Sequence, residues 1–525
     1  MTAPTIRPYR PATPAAGRDG FGHLLRAEWT KFRTVRGWVI ATLVAMLLTL
    51  LLGLFTGMNS QEGCANGPCH YLIPVGPGGE AVTDTYYFVH RPLTGDGTIT
   101  VRLASLTGVI ETGMTPQGPA HLQPGLQPWA KAGLILTVGS AQGSPYAAAM
   151  VTGSHGTRMQ WNYTGDSAGL AGGVSSAQPR WLRLTRSGDA VTTYDSADGT
   201  TWTKIGTVRL HGLASTVQAG LFVASPGYFQ QTSQQISGGS GSGNPTDATA
   251  SFDRVSLQGG WSGGSWNGTA ITGGSRSVDQ FGAETGFHQS GDALTVTGSG
   301  DIAPGTDGGT PINQTLAGAF IGLIAVVVVG ALFMTSEYRR GLIRVTLAAS
   351  PRRGRVLAAK ALVLGLVTFI AGLIGAAIAV WFGNRLMHDN GFPIDPASTL
   401  TYLRVIGGTA ALFAVAAVFA LGVGTVLRSG AGAVTVVITA IILPYVLAVA
   451  FPILPTAAAN WLLRLTPAAG FAIQQVIPQY SQVAGTYAPT NGYFPLAPWA
   501  GFAVLCGYAA LTLAMAAVLL RRRDA

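Results

Sequence analysis

Ser336-Glu337-Tyr338-Arg339-Arg340-Gly341, then Leu342 to Ala349, then Ser350-Pro351-Arg352-Arg353-Gly354-Arg355 and on to Lys360, is the stretch that decides the fold. It carries seven Lys/Arg and a single acid, Glu337. The runs on either side, residues 316–335 and 361–383, hold no charge. Each is long enough for a membrane helix, which needs about 20 apolar residues. A basic segment between two such spans is held on the cytoplasmic face by its charge.

Working outward, four more uncharged runs have spanning length: residues 38–55, 405–427, 431–453 and 499–520. The whole chain is 48% hydrophobic and only 10% charged, where soluble domains run near 25% charged. The expected fold class is therefore an α-helical polytopic membrane protein with six transmembrane helices. Between the first two spans lies a long block of different character, residues 58–313.

The formal net charge of +10 suggests nucleic acid until its distribution is followed. Residues 58–313 hold 11 basic and 16 acidic residues, which leaves 21 Lys/Arg against 6 acids elsewhere. Of those 21, only Arg385, Arg404 and Arg464 fall in the alternate short loops. That asymmetry is the positive-inside pattern. It places both termini in the cytoplasm and residues 58–313 outside, and it excludes nucleic acid as the reason for the charge. Residues 38–55 are too long for a signal-peptide core and lack a small-residue cleavage site, so they are expected to remain as an anchor.

Residues 1–20, rich in Pro, Ala and Arg, are expected to be a disordered cytoplasmic tail. In residues 21–36, Phe21, Leu24, Leu25, Phe32 and Val35 recur at helical spacing with Arg26, Lys31 and Arg33 interleaved, which reads as an interfacial amphipathic helix. Residues 37–57 form the first span. The external block alternates with period two from Thr98 to Leu103 and from Val217 to Val223. A Ser187-Gly188-Asp189 turn and an Asp198-Gly199 turn link further strands. Many short strands with no helical stretch predict an all-β jelly roll or sandwich, with its core at about 82–257 and a Gly-rich β appendage at 259–309. Residues 314–525 carry the remaining spans, the basic segment 336–360 and an outer loop 454–498, expected as short helices or a plain loop.

Cys64 and Cys69 flank a turn-forming Asn66-Gly67-Pro68 in an oxidising compartment, so the pair forms a disulfide or remains as two thiols. Gly318 and Gly322 have the small-xxx-small spacing of close helix packing, or arise by chance in Gly-rich spans. No metal site is expected, because His70 is the only neighbouring ligand for the cysteines and a structural zinc wants four.

Two resemblances follow from quoted motifs. Tyr86 to Gly97, Trp129 to Leu134, Pro179 to Leu184 and Tyr194 to Trp202 are similar to the concanavalin-A-like (laminin-G-like) β-sandwiches of bacterial surface proteins. That implies a two-sheet jelly roll and, in part of that family, glycan binding. The interfacial helix, the six spans, Glu337-Tyr338-Arg339-Arg340-Gly341 and Leu465-Thr466-Pro467-Ala468-Ala469-Gly470 resemble permease subunits of ATP-binding-cassette (ABC) transporters, type-2 exporter family. That resemblance implies a cytoplasmic ABC ATPase partner, a second permease copy (homodimer or related heterodimer), and a plasma-membrane location. In that family the segment after span two transmits ATPase motion, so Glu337, Tyr338, Arg339, Arg340, Arg344, Arg352 and Arg353 become candidate ATPase-coupling residues. The alternative for the segment is a solvated loop that only enforces topology.

A P-loop needs Gly directly before its Lys. The four lysines, Lys31, Lys131, Lys204 and Lys360, all lack it, so no P-loop ATPase is expected within this chain and any ATP is expected on a partner, with no cofactor bound here. Ion-coupled carriers place ionisable groups inside the membrane, and the six uncharged runs have none. Glu62, Glu80, Glu111 and Glu284 are scattered, which argues against the carboxylate pair of a retaining glycosidase. The chain is thus expected to be a non-catalytic permease. A membrane-anchored glycan-binding sensor or adhesin is the alternative, and an ion-coupled carrier the third.

Overall fold

The computed structural model describes residues 20–59, 63–64, 67–68, 73–112, 121–228, 244–272, 285–305, 309–350, 352–449, 454–483, 487 and 489–522. The tail at 1–19, Cys69 of the expected disulfide and Pro351 of the basic segment lie outside them. Cys64 lies in a short strand, Gly63–Cys64, paired with Gly67–Pro68.

Six described helices are long and apolar enough to cross a membrane. They lie within α2 (Arg36–Asn59), α3 (Ala317–Arg339), α5 (Arg353–Asp389), α6 (Thr399–Leu427), α7 (Gly430–Val449) and α9 (Pro498–Arg522). Short helices α1 (Phe21–Thr34), α4 (Leu342–Ala349) and α8 (Thr456–Leu465) flank them. The central helices α3 and α6 are the most buried, while α2, α7 and α9 present most of their surface outward. Gly318 and Gly322 of α3 face α2. A Cβ on Gly318 would clash with the Thr49 carbonyl, and one on Gly322 with the Thr49 hydroxyl. Pro444 lies inside α7. Residues Pro467–Gln474 form a 3-10 segment whose side chains are all buried. Gln474 Nε2 donates to Thr409 Oγ1 at 2.9 Å, and Arg404 donates to the Gln475 carbonyl at 2.6 Å. This part of the outer loop is packed into the bundle, not laid on its surface.

Between α2 and α3 the chain folds into a β-rich region in which fourteen of the described strands join one antiparallel sheet. Its spine is the 27-residue strand Tyr86–Thr112, which pairs with Arg180–Ser187, Thr216–Ala224 and Thr246–Trp261. The sheet folds over so that Arg180–Ser187 lies across the core from Tyr146–Thr152 without pairing to it. Alternating side chains such as Val89, Val101, Leu134, Leu182 and Phe252 fill that core. Asp198, in the hairpin turn, accepts backbone N–H bonds from Thr200 and Thr201 at 2.8 Å each.

Toward the bundle, the two ends of the insertion are brought together. Val82–Asp84 pairs with Ile302–Pro304, one strand on each side of the insertion. Lys131, fully buried, reaches Asp301 Oδ1 and the Ile302 carbonyl, each at 2.6 Å. Asp84 accepts from the Tyr163 hydroxyl at 2.8 Å and the Gly143 N–H at 2.9 Å. Burial pushes its carboxyl up to about 6 against the pull of those two donors. The outer loop also touches this neck, because Gln482 Nε2 donates to the Thr164 carbonyl at 3.2 Å.

Candidate functional site

At the bundle end opposite the β-rich region, α1, α3 and α5 converge on four charges. Glu28, Lys31 and Phe32 share one face of α1 by their i, i+3, i+4 spacing. Lys360 Nζ, inside α5, lies 2.7 Å from Glu28 Oε2 and 2.6 Å from Glu337 Oε1 of α3. Lys31 Nζ completes the ring, 2.9 Å from Glu28 Oε1 and 3.1 Å from Glu337 Oε1. Lys360, Glu28 and Glu337 are 1%, 2% and 4% exposed.

Two cations and two carboxylates balance, which is the condition for burying them at all. Partial burial alone would lower the Lys31 ammonium. The hydrogen bond and charge of Glu28, joined by Glu337, outweigh it and hold Lys31 above its usual range. Beneath the ring lies an aromatic floor. Lys360 Nζ is 4.9 Å from the Phe333 ring centre. Phe333 meets Trp38 at 4.8 Å and Phe32 at 5.9 Å between centroids. The charges thus tie α1 to two spanning helices where both leave the apolar zone.

The basic segment then departs from its sequence reading. Apolar Leu342, Ile343, Val345 and Leu347 interleaved with arginines predict one short helix from about Glu337 to Ala349, ended by Ser350-Pro351. Instead α3 runs on through Arg339, the chain breaks at Gly341, and α4 begins at Leu342. Gly341 has φ +68°, the left-handed conformation that glycine adopts without strain. Because Glu337 is still in α3, its side chain turns back into the bundle, so among the candidate coupling residues it does not face outward. Tyr338 is half-buried, with the Arg428 guanidinium 5.1 Å over its ring. Arg339, Arg340 and Arg344 are exposed beside Leu342 and Val345, which are 47% and 67% exposed, while Ile343 anchors α4 to the bundle. Arg352 and Arg353 are elsewhere, at the start of α5 near Arg521 of α9.

Sequence reasoning missed Glu28, Lys31 and Lys360 as a unit. A signal was present: Glu28 is the only acid among residues 21–36, and Glu337 the only one among 336–360. A lone acid in a basic interfacial segment needs a partner, and one of the chain's four lysines lies directly against an apolar run.

Six apolar helices, a basic end and a β-rich insertion define a multi-pass membrane protein. Residues 208–525 match the ABC-2 family transporter protein, well over half of the chain, and the chain belongs to that family. Membership implies a membrane permease that works with a partner ATPase subunit. The match begins within the β-rich region, in the strand Thr203–Arg209. No curated protein matches the chain. Similar solved structures include a functionally unknown protein from Saccharomyces cerevisiae, 14% identical, covering 38% of this chain and 91% of that one at a TM-score of 0.22. Another is scytalido-glutamic peptidase with a transition state analog inhibitor, 10% identical, covering 41% and 98% at a TM-score of 0.25. At those scores neither bears on fold or activity here.

Proposed function

We propose that this chain is the membrane half of an ATP-driven exporter, moved by a separate cytoplasmic ABC ATPase that docks on α4. The observation that carries this reading is the buried ring Glu28–Lys31–Glu337–Lys360, whose Glu337 lies in the last turn of α3, just before the link to α4. A push on α4 reaches α3 through the short Arg340-Gly341 link, and the ring passes it to α1 and α5 as one body. Arg339, Arg340 and Arg344 supply an arginine rim, and Leu342 and Val345 an apolar centre, the anatomy of a protein interface. On this reading the basic end and both termini face the cytoplasm, and the chain itself performs no catalysis. Two copies, identical or related, enclose the path, and the β-rich region is an external jelly roll.

The test is to purify the tagged chain with its ATP-binding-cassette partner, reconstitute the complex in lipid, and measure ATP hydrolysis. Arg339→Ala with Arg340→Ala and Arg344→Ala is expected to lower partner recovery about tenfold or more, since loss of interface arginines costs about 2 kcal/mol or more. Glu337 is left intact, because its loss would disturb the bundle. Unchanged recovery and activity in the triple variant would remove α4 as the docking surface.

A further inference from the structure

An open cavity of about 510 Å3 lies between the start of α5 and the end of α9, lined by Arg352, Arg353, Arg355 and Arg521 around Gly354. Among the described residues that line it, none is acidic. Arg353 Nη1 donates to the Leu520 carbonyl and so holds the two helix ends together. Arg521 Nη2 lies 3.9 Å from where a Cβ on Gly354 would stand, over the first turn of α5. Arg352, Arg355 and Arg521 are exposed.

This arrangement is electrostatically inverted. A helix N-terminus carries about half a positive charge and favours Asp or Glu, yet the 37-residue α5 has no acid in its first turn. Its N-cap, Arg352, makes no side-chain capping bond. Converging guanidiniums repel one another and the helix end alike, and an anion in the cavity turns each of those repulsions into an attraction. Among the described residues no acid offsets this broken local rule, and such a break marks a functional position.

The surfaces below the cavity say what kind of anion. On α5, Arg355 heads an exposed stripe through Ala358, Leu362 and Leu366 at helical spacing. On α9, Arg521 heads another through Val518, Ala514 and Leu511. Leu362, Leu366 and Leu511 are 55%, 59% and 59% exposed. Each stripe runs from the cavity into the spanning part of its helix.

We propose that this cavity binds the phosphate of an anionic phospholipid, with the acyl chains along the two stripes. Basic pockets between membrane helices take such headgroups. Free phosphate shares the headgroup chemistry but has nothing to lay on the stripes. The proposal stands apart from the docking of an ATPase on α4, since Arg339, Arg340 and Arg344 do not line this cavity.

The test uses the full-length chain, delipidated in detergent and offered equal phosphatidylglycerol and phosphatidylcholine, with retained lipid counted by native mass spectrometry. At about 1 kcal/mol per arginine, phosphatidylglycerol is expected to be retained about tenfold or more over phosphatidylcholine. Arg352→Gln with Arg355→Gln and Arg521→Gln should bring the two to parity, with Arg353 kept as the tie to α9. The corresponding triple lysine variant should keep the preference. Excess inorganic phosphate should leave phosphatidylglycerol bound. Equal retention of both lipids by the unmodified chain overturns the proposal, and that comparison needs no variant to fold. So does a preference surviving in the glutamine variant, or displacement by inorganic phosphate, which would make this a free-anion site. Loss of a bound ATPase in the glutamine variant with lipid preference intact would assign the arginines to the partner instead.

Discussion

Lys360→Met is expected to be the most damaging single change in the bundle. It leaves Glu28 and Glu337 facing each other, both nearly inaccessible, with only the partly exposed Lys31 between them. Removing one partner from a buried ion network costs about 3–5 kcal/mol, because the remaining charge stays desolvated. The loss should be read as a lower thermal midpoint in detergent and a smaller monodisperse fraction. Adding Glu337→Gln restores the balance of one carboxylate against one ammonium, the Glu28–Lys31 pair one turn apart on α1. That double variant should recover at least half of the lost stability. A Lys360→Met protein with an unchanged midpoint would mean that the ring does not hold the helices together.

The second large effect is expected at the neck. Lys131→Met removes the cation that meets Asp301 and the Ile302 carbonyl in a fully buried position. The same reasoning gives about 3–5 kcal/mol. In a β-rich region of this size, that is a drop of about 10 °C in its melting step. Asp301 also accepts the Ile302 N–H at 2.8 Å, so the damage falls on the strand pair that joins the insertion to the bundle. Lys131→Met with Asp301→Asn should recover part of the loss, since the asparagine side-chain oxygen still accepts that N–H without leaving a charge. If the single variant melts like the unmodified chain, the neck is held by strand pairing alone.

The two lysines show what was legible in the sequence and what was not. The six spans were legible because a spanning helix must exclude charge, and uncharged runs of that length are rare. Their ends were less so. Lys360 and Glu337 were assigned outside the spans, because a charge in a linear reading marks the limit of an apolar run. In the structure α5 begins at Arg353 and α3 runs to Arg339, so both charges lie inside continuous helices. They are tolerated there because each finds its counter-charge on another helix, and no spacing rule reveals a partner as distant as Glu28 is from Lys360. Gly341 was legible as punctuation. That it begins α4 instead of interrupting it depends on its left-handed backbone. In the β-rich region, alternation exposed the strands from Thr98 to Leu103 and from Val217 to Val223. The folding over of a single sheet depends on pairings between distant segments, as where Trp181 meets Arg102, and alternation is silent about those.

The most direct test of the central claim, that a separate ATPase engages α4, is labelling of Val345→Cys in a background with the three native cysteines replaced. Val345 is the most exposed large apolar side chain of α4. A membrane-impermeant maleimide, applied to the purified chain in lipid with and without its ATPase, reports whether that position is covered. Rapid labelling of the chain alone and about tenfold slower labelling in the complex are expected, matching the interface loss expected for the arginine variant. Equal rates in the presence of a demonstrably bound ATPase would contradict the claim.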